Sequence, residues 1–89
     1  MSPRQQTKKV IMYTKVPCPF CVAAKNFMLQ EGIQFSEIDL TNDPDRILQL
    51  KRETGWMTVP IIMIEEQLIG GYTDLKDLHQ KNGLWPLLT

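Results

Sequence analysis

The apolar residues of this chain alternate between the spacing of a β-strand and that of an α-helix. Lys9 to Thr14 is predicted as a first strand, and the segment from about Pro19 to Gln30 as a helix. Glu31-Gly32 stops that helix, and Ile33 to Leu40 follows as a second strand, with apolar positions that include Phe35 and Ile38. The first half of the chain therefore reads strand, helix, strand.

A second helix is predicted next, because the signals for both of its ends are present. Asn42 or Asp43 can cap it, and Pro44 lies in its first turn, where a missing N–H costs nothing. Ile47, Leu48 and Leu50 give it a partial apolar face, and Thr54-Gly55 ends it.

The remaining pattern predicts a hairpin and a last helix. Pro60 to Glu65 is predicted as a buried strand, and Glu65-Glu66 connects it tightly to a short antiparallel partner, Gln67 to Ile69. Gly70-Gly71 then releases the chain into a helix that starts near Thr73. The segment from Gly83 to Thr89, with Leu84, Trp85 and Leu87, is expected to pack as a patch or to fray.

The element order β-α-β-α-β-β-α predicts an α/β fold. Two strands joined by a crossover helix pair in parallel, and the hairpin adds antiparallel strands, so we expect a four-stranded mixed β-sheet flanked by three helices. The 89 residues contain no repeat or long linker, which predicts a single domain, residues 1–89. Residues 1–8 are expected to form a flexible N-terminal tail.

Charge and hydropathy exclude some classes of partner. Ten basic and ten acidic residues cancel, so no electrostatic footprint indicates nucleic acid or an anionic membrane. The first nine residues are polar and basic, and the longest apolar run, Val59 to Ile64, has only strand length. We therefore expect neither secretion nor membrane insertion, and a chain with two cysteines then fits a reducing, cytoplasmic location.

The chemistry is concentrated in Cys18-Pro19-Phe20-Cys21, which lies where the first strand ends and the first helix begins. Only a thiolate attacks a disulfide, and an ordinary cysteine has a pKa of about 8.5. The free N–H groups of the helix start, the helix dipole and the cation of Lys15 are expected to stabilise a Cys18 thiolate. Cys18 is thus the predicted nucleophile, and Cys21, one turn further on, the resolving thiol.

Three other interpretations of the cysteine pair are weaker. A structural disulfide would close a very small loop, which stabilises little. A zinc site requires about four ligands, and beyond the cysteines the chain offers only the distant His79, which is expected to be a solvated surface residue without a role. A zinc ion or an iron–sulfur cluster shared between two chains is the remaining alternative.

Three further motifs, in a fixed order around the cysteines, carry a family resemblance. They are Tyr13-Thr14-Lys15 before the cysteines, then Thr58-Val59-Pro60, and finally Gly70-Gly71-Tyr72-Thr73-Asp74. With the CPFC tetrad, they make the chain resemble the glutaredoxins, in particular the short bacterial type, over nearly its whole length from Val10 to Leu88. The resemblance implies a thioredoxin-like fold.

The resemblance also implies a glutathione site. Pro60 is expected to follow a cis peptide bond, which leaves the backbone of Val59, beside Thr58, facing the cysteines to pair with a thiol substrate. The alternative is that Pro60 only begins an edge strand. Lys15 is expected to attract the glycyl carboxylate of glutathione, and Phe20, which replaces the commoner tyrosine, to form an aromatic wall.

The γ-glutamyl end of glutathione is expected at the start of the last helix. Gly71 allows a close approach of the ligand, and the free N–H groups at Tyr72 and Thr73 can hold a carboxylate. The resemblance implies that Asp74 pairs with the ammonium group. An ordinary glycine turn with a helix cap would use the same residues and is compatible with this role.

Trp56-Met57 departs from the family pattern, because relatives often carry a polar or cationic side chain there. Arg46 is expected to compensate for that missing side chain. Trp56 itself allows two interpretations, a docking residue for a protein partner or a cover over the edge of the core.

The implied activity is glutathione-dependent reduction of protein disulfides and glutathionylated thiols, by a monomer that uses glutathione as reductant and no metal. Two alternatives share the fold. One is a redoxin recharged by thioredoxin reductase, against which Lys15, Thr73 and Asp74 argue. The other is a dimeric carrier of a glutathione-ligated iron–sulfur cluster, which Pro19 disfavours because cluster-holding relatives usually have a smaller or more flexible residue there.

Overall fold

The computed structural model describes residues 5–89 of the chain. They form one mixed sheet and four helices, the last of which is short. In chain order the elements are β1 (Val10–Thr14), α1 (Pro19–Gln30), β2 (Ser36–Asp39), α2 (Pro44–Thr54), β3 (Ile61–Ile64), β4 (Gln67–Gly70), α3 (Tyr72–Gln80) and α4 (Leu84–Leu88).

The four strands are arranged in the order β2-β1-β3-β4. β1 pairs in parallel with β2, so that Thr14 lies opposite Asp39, and it pairs antiparallel with β3, so that Tyr13 lies opposite Ile61. β3 and β4 form the antiparallel hairpin, with a register shift at Ile62 and Met63. The predicted mixed sheet is confirmed, and β1 lies at its centre with the cysteine helix directly after it.

Local capping determines where the first two helices begin and end. Cys18 is the N-cap of α1, and Asp43 caps α2 by accepting a hydrogen bond of 3.2 Å from the N–H of Arg46. Gly55 ends α2 in the left-handed conformation, at φ 74°, where a residue without a Cβ is least strained. These ends agree with the sequence predictions.

Two hydrophobic clusters cover the two faces of the sheet. The larger one packs α1, α3 and α4 against β1 and β3, and Met12, Met28 and Leu88 at its centre are fully buried. The smaller one holds α2 on the other face, through Ile47 and Leu50. The helices that follow β1 and β4 therefore lie on the same face, and their N-termini come close together at one end of the sheet.

Two predicted features need correction. The second strand spans only Ser36–Asp39, at one edge of the sheet, and all four of its residues are exposed. Ile33 and Phe35 pack into the core from the loop before it. The segment after Gly83 packs, as one of the two expectations for it stated, and only its helical form was not predicted. It forms α4, whose Leu84 and Leu88 are buried, so the described chain has one helix more than the three predicted.

The predicted N-terminal tail lies partly outside the described residues, since the description starts at residue 5. Within it, the side chain of Gln6 exchanges two hydrogen bonds of 2.7 Å with the backbone of Gln34. The N–H groups of Thr7 and Lys8 donate to the carbonyl of Leu88, at 2.8 and 3.0 Å. Residues 6–8 are therefore tied to the folded domain, unlike the flexible tail we expected. No helix among the described residues has the length and apolar character needed to cross a bilayer.

Candidate active site

Cys18 lies at the N-cap of α1 with an extended backbone, and its sulfur accepts a hydrogen bond of 3.1 Å from the N–H of Cys21. Pro19 occupies the first position of the helix, as predicted. An N-cap side chain sits where the free N–H groups and the positive end of the helix dipole converge. The fold thus places the Cys18 sulfur where an anion is stabilised.

Cys18 and Cys21 are joined by a disulfide, with their Cα atoms 5.2 Å apart. Cys21 is 6% exposed, whereas Cys18 is only partly buried. The more accessible sulfur is therefore that of Cys18, which agrees with its predicted role as the nucleophile. The structure describes the oxidised pair, and the Cα separation lies in the usual range for a disulfide.

The loop before Cys18 is held by a residue that sequence reasoning missed. The hydroxyl of Thr41 accepts a hydrogen bond of 2.9 Å from the N–H of Val16. Asp39 in turn accepts hydrogen bonds from both the hydroxyl and the N–H of Thr41, and these bonds, the side-chain one first, lower the pKa of the Asp39 carboxyl. In the sequence, the spacing of Asp39 and Thr41 is typical of a turn closed by an aspartate side chain, and this signal could have identified Thr41.

The Val59-Pro60 peptide bond is cis, as the resemblance implied, and a second cis bond joins Val16 and Pro17. The carbonyl oxygen of Val59 lies 3.7 Å from the Cys18 sulfur. The backbone before Pro60 therefore faces the reacting sulfur. Pro60 itself is buried and precedes β3 without belonging to it.

The start of α3 forms the other side of the site. Gly71 is its N-cap, and Tyr72, Thr73 and Asp74 form its first turn. The carboxylate of Asp74 accepts a hydrogen bond of 3.1 Å from the N–H of Gly71. This bond fixes the carboxylate beside the helix start, where the next N–H groups have no intrahelical acceptor and can receive an anionic group.

These elements enclose a groove with a volume of about 210 Å³. We call it the groove below. The Phe20 and Tyr72 rings, whose centroids are 6.4 Å apart, lie along it. Its lining contains eight of the nine predicted glutathione-binding residues, and Trp56 in addition: Phe20, Trp56, Thr58, Val59, Pro60, Gly71, Tyr72, Thr73 and Asp74.

Lys15 is the exception, because it does not line the groove. It is exposed and lines a separate cavity that also contains both cysteines. Lys15 thus lies beside the cysteines but on a different cavity from the other eight residues.

Trp56 packs into the smaller hydrophobic cluster and also forms part of the groove wall. Its ring lies 3.6 Å from the position that a Cβ at Gly71 would occupy, and its indole nitrogen is buried without an acceptor among residues 5–89. The interpretation of Trp56 as a cover over the core edge is thus supported. Met57 beside it is 66% exposed.

Arg46 and His79 lie away from the groove. Arg46 lies 5.8 Å from the ring centroid of Tyr13 and 3.7 Å from Glu53, so it does not compensate for the missing cation. His79 is not a freely solvated residue. It lies 3.4 Å from a carboxylate oxygen of Glu31 and meets the ring of Phe27 edge-on, at a centroid distance of 5.2 Å.

Among residues 5–89, no group of three or more His, Cys, Asp or Glu side chains is placed to hold a metal ion. The site contains two sulfurs, one more accessible and one buried, beside a groove that includes the N-terminus of α3.

Comparison with known proteins supplies the family. The family model for glutaredoxin matches residues 10–69, which include the cysteine pair, the cis-proline segment and β4 except for its last residue. The chain belongs to the glutaredoxin family. Membership confirms the predicted fold class, and with it the predicted enzyme class, a glutathione-dependent thiol–disulfide oxidoreductase.

Two curated bacterial relatives match at similar levels. The chain is 38% identical over 79 residues to "Glutaredoxin 3" of Escherichia coli K12, a match that covers 89% of this chain and 95% of that one. It is also 38% identical over 80 residues to "Glutaredoxin" of Pseudomonas aeruginosa, covering 90% and 95% of the two chains. The glutaredoxin resemblance therefore extends over nearly the full length.

Solved structures agree with this assignment. The solution structure of glutaredoxin from Brucella melitensis superposes with a TM-score of 0.81 at 33% identity, covering 98% of this chain and 94% of that one. The crystal structure of a buckwheat glutaredoxin–glutathione complex superposes with a TM-score of 0.83 at 27% identity, covering 91% and 76%.

Proposed function

We propose that Cys18 and Cys21 reduce glutathionylated thiols and protein disulfides, with glutathione bound in the groove as the reducing substrate. The observation that carries this proposal is the position of the Cys18 sulfur, 3.7 Å from the carbonyl of Val59 and at the N-terminus of α1. A ligand sulfur paired along Val59 would lie beside the nucleophile.

The groove residues fit the chemistry of glutathione. The N–H groups at the start of α3 would receive the γ-glutamyl carboxylate, and the fixed Asp74 carboxylate would pair with the adjacent ammonium group. Phe20 and Tyr72 supply apolar walls on one side. Thr58 and Val59 provide backbone for the cysteinyl part. Lys15, which lies outside the groove in the cavity that contains both cysteines, would attract the glycyl carboxylate.

In the first step the Cys18 thiolate attacks the glutathione sulfur of a mixed disulfide. A Cys18–glutathione disulfide forms, and the target thiolate leaves and takes a proton from solvent. A second glutathione thiolate can then attack the glutathione sulfur, which releases glutathione disulfide and restores the Cys18 thiolate. The free N–H groups at the helix start stabilise the thiolate in both steps.

Protein disulfides require Cys21 as well. Attack by Cys18 gives a mixed disulfide with the target, and the Cys21 thiolate then attacks the Cys18 sulfur, which releases the reduced target and leaves the Cys18–Cys21 disulfide. Two glutathione molecules reduce that disulfide again. The 5.2 Å between the Cα atoms keeps Cys21 within reach for this step.

The test is turnover of hydroxyethyl disulfide with glutathione and glutathione reductase, compared with turnover supported by thioredoxin reductase. We expect activity with the first system only, and activity only with the second would overturn the proposal. Cys21→Ser should retain deglutathionylation and lose most protein-disulfide reduction, whereas Cys18→Ser should lose both. Visible absorption after anaerobic purification would indicate the iron–sulfur carrier instead.

We further propose that the chain acts as a monomer and in the cytoplasm. Both cysteines and the groove belong to one chain, so the reaction requires no second copy. A dithiol pair that must be reduced to start its cycle fits a reducing compartment. Sedimentation at micromolar concentration tests the first statement, and localisation of the tagged full chain tests the second.

A further inference from the structure

Two cavities flank the cysteine pair, and they share no lining residue. The groove is one of them. The other, which we call the second cavity, has a volume of about 410 Å³ and includes Cys18 and Cys21 in its lining, whereas the groove includes neither. Whatever occupies the second cavity therefore lies directly against the reacting sulfurs.

The second cavity has mainly apolar walls, although it is open to solvent. Val16 and Val22 on its rim are 61% and 58% exposed, and Pro17 and Pro19 complete that wall. Exposed apolar side chains around a concave site of this size are typical of a binding surface rather than of packing.

Charge at the second cavity is largely compensated. Lys25 pairs with Glu37 at 3.2 Å, and Glu37 also accepts a hydrogen bond of 3.0 Å from the hydroxyl of the buried Thr14. Lys15 adds one cation at the rim. Because Lys25 and Glu37 pair with each other, neither requires a charged partner from a group that enters the cavity.

We infer that the second cavity binds an apolar side chain next to the reactive cysteine of a protein disulfide. This inference rests on the proposed function, because that reaction itself brings a polypeptide to Cys18. A polypeptide disulfide that reaches Cys18 brings its flanking residues to the second cavity, because Cys18 lines that cavity and does not line the groove. The volume exceeds that of one large aliphatic side chain and falls in the range of small-ligand pockets.

The test uses two peptide disulfides that differ only in whether Leu or Ser follows the reactive cysteine. Wild type should reduce the Leu peptide with a kcat/KM about tenfold higher, the effect expected for partial burial of one large apolar side chain. In the double variant Val16→Thr/Val22→Thr this ratio should fall at least threefold. Using the ratio cancels any change common to both peptides.

Leu29→Thr is the matched control, because Leu29 is also 61% exposed and lies on the same helix, α1, but outside the lining of the cavity. Its ratio should equal that of wild type. Equal rates for the two peptides with wild type, an unchanged ratio in the double variant, or an equal fall with Leu29→Thr would each overturn the inference. Turnover of hydroxyethyl disulfide with glutathione tests the proposed function separately.

Discussion

The N–H of Cys21 donates a hydrogen bond of 3.1 Å to the sulfur of Cys18, so the nucleophile of this glutaredoxin is also the N-cap of its own helix. Both roles require the same thing, namely a hydrogen-bond acceptor with partial or full negative charge at the start of the helix. The sequence thus uses one residue to begin α1 and to hold the reacting atom in place.

We expect this double role to be visible in the stability of reduced variants. Neither Cys18→Ser nor Cys18→Ala can form the disulfide, and both should be inactive, but serine retains a cap and alanine does not. The free energy of unfolding should therefore be about 1 kcal/mol larger for Cys18→Ser. Urea denaturation of both proteins under reducing conditions measures the difference, and equal midpoints would show that residue 18 does not cap the helix.

Asp74 should separate ligand recognition from helix capping. Its carboxylate accepts from the N–H of Gly71 at 3.1 Å and is proposed to pair with the ammonium group of glutathione. Asp74→Asn retains an acceptor for the cap but loses the charge, so the KM for glutathione should rise several-fold with little change in stability. Asp74→Ala should raise the KM similarly and also lower the free energy of unfolding by about 1 kcal/mol.

The comparison needs initial rates over a range of glutathione concentrations and a denaturation curve for each variant. An unchanged KM for glutathione in Asp74→Asn would contradict the proposed contact between Asp74 and the ammonium group of glutathione. An unchanged free energy of unfolding in Asp74→Ala would contradict the role of Asp74 in capping α3.

Gly70 and Gly71 are neighbours that should differ in how well they tolerate a substitution by alanine. Gly70 has φ 120°, and a Cβ there would lie 2.8 Å from the Asp74 carboxylate and 3.1 Å from the Trp56 ring. At Gly71 the nearest atom would be 3.6 Å away, and its φ of −103° suits any residue. Gly70→Ala should therefore cost about 1–3 kcal/mol of stability, and Gly71→Ala much less.

Thermal unfolding of both alanine variants, under the same redox conditions, provides the measurement. Equal melting temperatures would contradict the close approach of Asp74 and Trp56 to Gly70.

Much of the fold follows from short-range signals. Cys18-Pro19, Asp43-Pro44 and Gly55 determine the ends of α1 and α2 through contacts within a few residues, and the structure places these ends as predicted. The groove followed from motifs whose family resemblance fixed their positions. Eight predicted residues line it together, although they come from three separate segments.

What the sequence did not predict depends on contacts between distant segments. The hydrogen bond between Val16 and Thr41 joins residues 25 positions apart. His79 in α3 contacts Glu31, which follows the last residue of α1. The packing of Leu84 and Leu88 that shapes α4 likewise requires the assembled core. The separation of Lys15 from the groove is likewise specified by no spacing pattern in the sequence.

Thr41 is expected to hold the loop that leads to the nucleophile. Thr41→Val keeps the shape of the side chain but removes the acceptor for the Val16 N–H, and the loss should cost about 1 kcal/mol. Because Val16 lies two residues before Cys18, turnover should fall as well. Thr41→Ser, which keeps the hydroxyl, should behave like wild type in both measurements, and a Thr41→Val enzyme with unchanged stability would contradict the role.

Asp39 should make part of the stability of this loop depend on pH. The hydrogen bonds from the Thr41 hydroxyl and N–H lower the pKa of Asp39 in the folded protein below its usual value, about 3.9 in unfolded chains. A lowered pKa means that the ionised carboxylate contributes stability above the unfolded pKa, and that this contribution disappears as the pH falls through the folded value.

Asp39→Asn lacks the titrating group but keeps a side-chain acceptor. The difference in free energy of unfolding between wild type and Asp39→Asn should therefore be constant from about pH 5 to 7 and shrink below about pH 4. Urea denaturation of both proteins at each pH measures it, and a difference that stays constant down to pH 2 would show that Asp39 titrates alike in the folded and unfolded chains.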